Sequence, residues 1–255
     1  MHALLLAAGR GLRSQCRQHK ILLAYDGVTL LERHMRILAA YPVRHVVIVC
    51  GFQKEQVTDA VDSLVPRFPS LHIHVAYNAD YALGSALSLA CGLNAINTYL
   101  QEGESLLLMD GDVLYDGRLI QRLTDSPHKG CLLMDRNMEA GDEPVKIALY
   151  EGRIVDMAKR LTTSRYDTLG ESVGFFKVDD ALTHALWDKT RALIDTGERH
   201  APHEDAIRQL VLDRRYHPCF GVEDVTGTPW MEIDFPHDIH KARHDILPHL
   251  QNLPF

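Results

Sequence analysis

Apolar and polar positions along the first 115 residues follow two alternating periods. Apolar runs at 2–7, 45–49, 71–76 and 105–109 read as buried strands. The stretches near 29–40, 53–64 and 84–97 return apolar residues at the three- and four-residue spacing of amphipathic helices. Strands alternating with helices predict an α/β fold with a mostly parallel sheet, because each parallel pair needs a crossover and the crossover helices cover both sheet faces. Sheets of this kind bind ligands at the carboxyl ends of their strands.

The rhythm changes after about residue 115. A helix is expected near 116, and Lys146 to Tyr150, a turn at Glu151-Gly152 and Arg153 to Val155 read as a β-hairpin. A strand at 172–178, helices near 178–194 and 203–213, a strand near 216–222 and a final helix from about Pro236 complete the pattern. With no repeat or Pro/Gly/Ser linker, the expectation is one domain over 1–245, in halves 1–115 and 116–245, followed by a tail at 246–255.

Composition narrows the class. At 255 residues the chain can bury a full core, and 46% apolar with 24% charged residues is ordinary for a globular protein. No segment approaches the roughly 18 apolar residues of a membrane span, and Met1-His2 leads into a core strand without a basic leader, so a cytoplasmic protein with no membrane partner is expected. A net charge of -7 argues against a nucleic-acid track, and five scattered cysteines indicate neither a disulfide framework nor a zinc knuckle.

Against that acidic balance, residues 1–25 hold Arg10, Arg13, Arg17 and Lys20 and no acid. The run Leu4-Leu5-Leu6-Ala7-Ala8 opens into Gly9-Arg10-Gly11-Leu12-Arg13 and reaches Lys20. A buried strand spilling into a glycine-bearing cationic loop is a phosphate grip, since glycine lets backbone N–H groups approach an anion that fixed cations neutralise. There is no Gly-Lys pair for a Walker loop, and Ser14 stands where a dinucleotide fingerprint needs its third glycine. A tight strand-to-helix turn is the plainer alternative.

Two acidic groups lie at strand ends. Asp110-Gly111-Asp112 follows the fourth apolar run, where a carboxylate can hold a divalent cation against a phosphate or, alternatively, make a turn or an N-cap. In Glu232-Ile233-Asp234-Phe235-Pro236, the two acids stand two apart on a strand and project to one side, within reach of one cation; Asp234 as an N-cap is the alternative.

The order Leu-Ala-Ala-Gly-x-Gly-x-Arg, Lys, Asp-x-Asp and acid-x-Asp-x-Pro-x-Asp resembles the nucleotidyltransferase superfamily that makes nucleotide-activated sugars and alcohols. Within it the chain is similar to phosphocholine and 2-aminoethylphosphonate cytidylyltransferases, through His19-Lys20, Tyr77-Asn78-x-x-Tyr81, Gly170-Glu171-x-x-Gly174 and His203-Glu204-Asp205-Ala206. The resemblance implies a three-layer Rossmann-like fold of the nucleotide-diphospho-sugar transferase type, with a nucleotide-binding first half and a β-rich acceptor-binding insertion in the second. It implies transfer of CMP from CTP to a small phosphorylated or phosphonylated alcohol or amine, with release of pyrophosphate. Arg13 and Lys20 would be catalytic; Leu6, Ala7, Ala8, Gly9, Gly11, Asn78, Ser85 and Asp110 would bind nucleotide. Asp112, Glu232 and Asp234 would hold Mg²⁺, with Mn²⁺ as an alternative, and Lys146, Lys159, Glu171 and Asp205 would meet the acceptor. Solvated strand-edge lysines remain the alternative for Lys146 and Lys159. A monomer or homodimer is expected. Other readings are a sugar-1-phosphate or molybdopterin nucleotidyltransferase and a non-catalytic nucleotide-binding regulator.

Overall fold

A computed structural model describes residues 1–11, 18–138 and 143–254. The elements run β1 (His2–Ala7), a 3₁₀ turn (Lys20–Leu22), a small hairpin of β2 (Ala24–Tyr25) and β3 (Val28–Thr29), α1 (Leu30–Ala39), β4 (His45–Cys50), α2 (Lys54–Leu64), β5 (His72–Tyr77), α3 (Ser85–Ile96) and β6 (Ser105–Asp110). The second half adds β7 (Val113–Tyr115), α4 (Arg118–Asp125), β8 (Gly130–Asp135), β9 (Lys146–Tyr150), β10 (Arg153–Ala158), β11 (Thr168–Asp179), α5 (Asp180–Asp195), α6 (His203–Val211), β12 (Phe220–Asp224), β13 (Trp230–Glu232) and α7 (Pro236–Lys241).

β1 is paired on both sides by parallel neighbours, β4 and β6, so its apolar run is buried twice over. The sheet order is β10-β9-β11-β6-β1-β4-β5, with β8 against β11 and β12. The chain winds outward from β1 to β4 and β5, then returns through α3 to β6 on the other side of β1. That reversal opens a crevice at the carboxyl ends of β1 and β6, where α/β sheets bind ligands.

Alternate strand residues feed two cores. Leu5, Val46, Ile48, Leu107 and Met109 pack with the inward faces of α1, α2 and α4, while Leu4, Val47, Val49, Leu106 and Leu108 pack with α3, α5 and α6. The result is the three-layer, mixed and mostly parallel architecture expected. The second half departs from the expectation in detail. β8, all six residues of it buried, lies between β11 and β12, where no strand was expected. The strand expected at 216–222 begins at Phe220, because Pro218 sits in a 3₁₀ turn at His217–Cys219 and cannot donate to a ladder.

Candidate active site

The acids meet because of a two-stranded ribbon. β13 runs antiparallel to β7, with Glu232 opposite Val113, and the next amide, Ile233 N–H, donates to Asp112 O at 3.0 Å. That pairing lays Glu232 and Asp234 beside the residue that follows β6 and Gly111. Carboxylate oxygens of Asp112, Glu232 and Asp234 lie within 4.8 Å of one another. Neither aspartate is spent on a helix cap. Asp238 accepts from the amides of Asp234 and Phe235 at the start of α7, and Asp116 accepts from the amide of Arg118 at the start of α4.

Lys20 completes the cluster. It begins the 3₁₀ turn whose first free amide, Ile21 N–H, donates to His19 Nδ1, and its ammonium donates to Asp112 Oδ2 at 2.8 Å and Asp234 Oδ1 at 2.7 Å. Burial works against the charged amine, but the two carboxylates outweigh it and hold Lys20 above the ordinary lysine range. For Glu232, enclosure in the cavity and then the like charges of Asp112, Asp234 and Asp110 push the carboxyl well above its usual range. Asp110 is also raised, by burial and then by Glu204 and Asp112. Among the described residues one ammonium, Lys20, faces four acids, and the donor set is all oxygen, so these residues fit a hard divalent cation. Asp112, Glu232 and Asp234 would hold it.

A cavity of about 630 Å³ extends from this cluster over residues 171–174 of β11. Asp110 and the acid pair Glu232 and Asp234 form one side; Glu171, Glu204, Glu143, Lys159 and Trp230 form the others. Asp110 can reach in because β11 bulges beneath it. Its ladder with β8 shifts register between Ser172 and Phe176, and Gly174 there has φ +78°. A Cβ at Gly174 would lie 2.3 Å from Asp110 Oδ2, so a side chain is excluded on both counts.

The remaining expected residues fall into place unevenly. Leu6 O accepts from Gly111 N–H, Ala8 O accepts from Phe52 N–H, Gly9 stands open to solvent and Gly11 takes φ +58°. Arg13 lies outside the described residues. Asn78 donates to Ser88 Oγ and accepts from Asp80 N–H, and Ser85 Oγ accepts from His203 N–H, so both tie neighbouring segments together. Glu171 faces the cavity in register with Asp135 on β8 and Lys146 on β9. Lys146 donates to Lys159 O at 2.9 Å and Lys159 pairs with Glu143 at 3.2 Å; of the two lysines, Lys159 lines the cavity. Glu204, rather than Asp205, turns toward it from the first turn of α6.

Sequence reasoning missed Asp135. It ends β8 as Asp110 ends β6, is buried, and accepts from the Trp230 indole N–H at 2.9 Å in the cavity wall. The signal, a carboxylate closing a buried apolar run, was present but depended on recognising β8.

The sequence profile of the MobA-like NTP transferase domain matches residues 3–172. A bifunctional IPC transferase and DIPP synthase from Rubrobacter xylanophilus is 26% identical over 249 residues, covering 96% of this chain and 52% of the relative. A CMP-5'-(3-aminopropyl)phosphonate synthase from Streptomyces rubellomurinus is 23% identical over 95% of this chain and 38% of its own length. The chain thus spans about half or less of these two curated relatives. The solved inositol-1-phosphate CTP transferase from T. maritima superposes with a TM-score of 0.71 at 20% identity, covering 96% of this chain and 97% of that one. Among the described residues, no helix is long and apolar enough to cross a membrane.

Proposed function

Since the chain belongs to the MobA-like NTP transferase domain family, we propose that it transfers CMP from CTP to a small phosphorylated or phosphonylated alcohol or amine and releases pyrophosphate. The observation that carries this reading is the Lys20 ammonium shared between Asp112 and Asp234, with Glu232 beside them, at the strand-end crevice of the sheet.

In the proposed reaction an acceptor phosphate or phosphonate oxygen attacks the α-phosphorus of the nucleotide in line. One oxygen–phosphorus bond forms as the bond to the β,γ-diphosphate breaks, and the diphosphate leaves with its electron pair. The attacking oxygen is already anionic near neutral pH, so alignment and charge neutralisation do the catalysis and no strong base is required. Lys20, half-buried and held charged by two acids, neutralises charge developing at the α-phosphate; Arg13 is proposed to receive the departing diphosphate. A divalent cation, when bound, would neutralise phosphate oxygens, and Mg²⁺ suits the all-oxygen donor set, with Mn²⁺ able to replace it. Backbone groups of Leu6, Ala7, Ala8, Gly9 and Gly11 would line the nucleotide, with Asn78, Ser85 and Asp110 nearby.

The acceptor end of the cavity supports a cationic head group. Among the described residues, Glu171, Glu204, Glu143 and the Asp135–Trp230 pair line this space together with Lys159 and Lys241, and an indole ring beside carboxylates is a favourable seat for an ammonium. The aminopropylphosphonate synthase relative is in keeping with this. A polyol phosphate is the second reading, favoured by the inositol-1-phosphate transferase fold match and by a cavity rich in acceptors for hydroxyl donors. The test is pyrophosphate release with each of four NTPs against phosphocholine, 2-aminoethylphosphonate, inositol-1-phosphate and glucose-1-phosphate. Preference for CTP with an amine-bearing acceptor is expected; efficient use of glucose-1-phosphate with UTP would overturn the assignment, and no release with any pair would point to the non-catalytic binding role.

A further inference from the structure

Helix α1 contributes no residue to the cavity, yet it touches the loop that makes the site. Its Thr29 cap fixes the start of the helix, and residues Leu30, Leu31, Met35, Ile37 and Leu38 turn inward and are buried. His34 shares that apolar stripe and is fully buried. A polar ring there is costly unless both nitrogens are satisfied. Both are satisfied: Nε2 lies 3.1 Å from Gly111 O and Nδ1 lies 3.2 Å from the Tyr115 hydroxyl. A carbonyl can only accept, so Nε2 carries the proton, and Nδ1 then accepts from Tyr115.

The carbonyl in question belongs to the peptide joining Gly111 to Asp112. On the other side of Gly111, its own N–H donates to Leu6 O at 3.0 Å, and a Cβ at Gly111 would already press on Leu6 O and Ala7 Cβ at 3.0 Å. β1 therefore fixes one peptide of the Asp110-Gly111-Asp112 turn and α1 fixes the next. Tyr115 stands three residues on, in β7 opposite Trp230 of β13, so the same contact ties the turn to the ribbon that delivers Glu232 and Asp234.

We propose that His34 is a positioning residue for cation binding: by holding the Gly111–Asp112 peptide plane, with Tyr115 holding its ring, it aims the Asp112 carboxylate at the point shared with Glu232 and Asp234. This rests on the reading that Asp112 binds a divalent cation. The bond acts through backbone, so it adjusts the cluster without supplying a ligand, much as hydrogen-bond partners behind metal ligands do elsewhere, where their loss costs roughly 10–100-fold in affinity.

The test is Mn²⁺ binding to the full chain by titration calorimetry, with Asp112→Asn as control, alongside half-saturating Mn²⁺ for turnover and the acceptor KM. His34→Leu is expected to weaken Mn²⁺ binding about 10–100-fold, with saturating Mn²⁺ restoring turnover and the acceptor KM unchanged. His34→Gln, whose amide can donate to the same carbonyl, should bind within a few-fold of wild type. Should His34→Leu not fold, Tyr115→Phe, which removes the ring's other tether, serves in its place and should weaken binding several-fold. Equal Mn²⁺ affinity in wild type, His34→Leu and Tyr115→Phe, with Asp112→Asn weakened, overturns the inference alone. Wild-type binding that Asp112→Asn leaves unchanged overturns the cation reading and the inference with it.

Discussion

The buried imidazole of His34 makes the stability of the protein depend on pH in a way that can be calculated. Burial, acting against the hydrogen bond to Gly111 O and the pull of Asp112, lowers its pKa from 6.5 to about 4. The unfolded chain therefore binds this proton first, and stability is lost as pH falls from 6.5 toward 4. At roughly 1.4 kcal/mol per tenfold change, the full loss from this residue is on the order of 3 kcal/mol, most of it by pH 4.5. The perturbation is His34→Gln, which keeps an amide donor but does not titrate. Urea unfolding of both proteins at pH 7.5 and pH 4.5 reads the difference. The other histidines with lowered values, such as His2, His19, His45 and His74, titrate in both proteins and cancel. Wild type should be the more stable at pH 7.5 and lose on the order of 2–3 kcal/mol relative to the variant by pH 4.5. A stability gap that stays constant within about 0.5 kcal/mol across that range, well below the shift expected from linkage, would refute the placement of a neutral, enclosed His34.

Lys20→Ala should cut turnover by about 10²–10³-fold, as loss of one preorganised charge does, while adding Mg²⁺ raises the variant's melting temperature more than the wild type's, because Asp110, Asp112, Glu232 and Asp234 lose their ammonium; unchanged kcat would remove Lys20 from the chemistry. Asp112→Asn and Asp234→Asn should each abolish cation-dependent turnover, checked by pyrophosphate release, and full wild-type activity in excess EDTA would end the cation reading. Gly174→Ala should destabilise by roughly 1–3 kcal/mol from backbone strain alone and lower activity by displacing Asp110; a thermal melt and kcat/KM matching wild type would contradict the bulge geometry. Asp156 is buried and accepts from the Arg208 guanidinium, Thr162 and the Met157 amide, which, against the cost of burial, lower its pKa from 3.8 to about 2. Its folded pKa is depressed, so its stabilisation is present above pH 3.8 and disappears as pH falls through about 2; Asp156→Asn should show a shallower acid unfolding limb than wild type.

The first half, residues 1–115, was legible because its strands are buried between parallel neighbours and its helices are amphipathic, so period alone separates them. The run at 2–7, the loop glycines, Lys20 and Asp112 could be read locally. The second half was harder for physical reasons. Gly130–Asp135 is a short apolar run, for which period does not distinguish strand from buried helix, and missing it hid Asp135. Whether Glu204 or Asp205 faces the cavity depends on the rotation of α6, which the packing of His203, Ala206 and Ile207 decides and local sequence does not. His34 reads as one more position on an amphipathic stripe; only the tertiary contact with Gly111 gives it a role.

The contact between Lys20 and Asp234 joins residues 214 positions apart, and this has a consequence for how the site is born. Loop closure over such a span is slow to nucleate, so the parallel strands and the local hairpins are expected to order first and the β7–β13 ribbon to dock late. Until it docks, Lys20 has only Asp110 and Asp112 near it among these acids, one formal positive charge against two negative; most of the surplus negative charge arrives with Glu232 and Asp234. A cation that binds this surplus binds only the finished structure, so its free energy is added to the last folding step and guards against reopening of the ribbon. The ion proposed for the chemistry would thus act, at the end of folding, as the latch on the cavity these acids line.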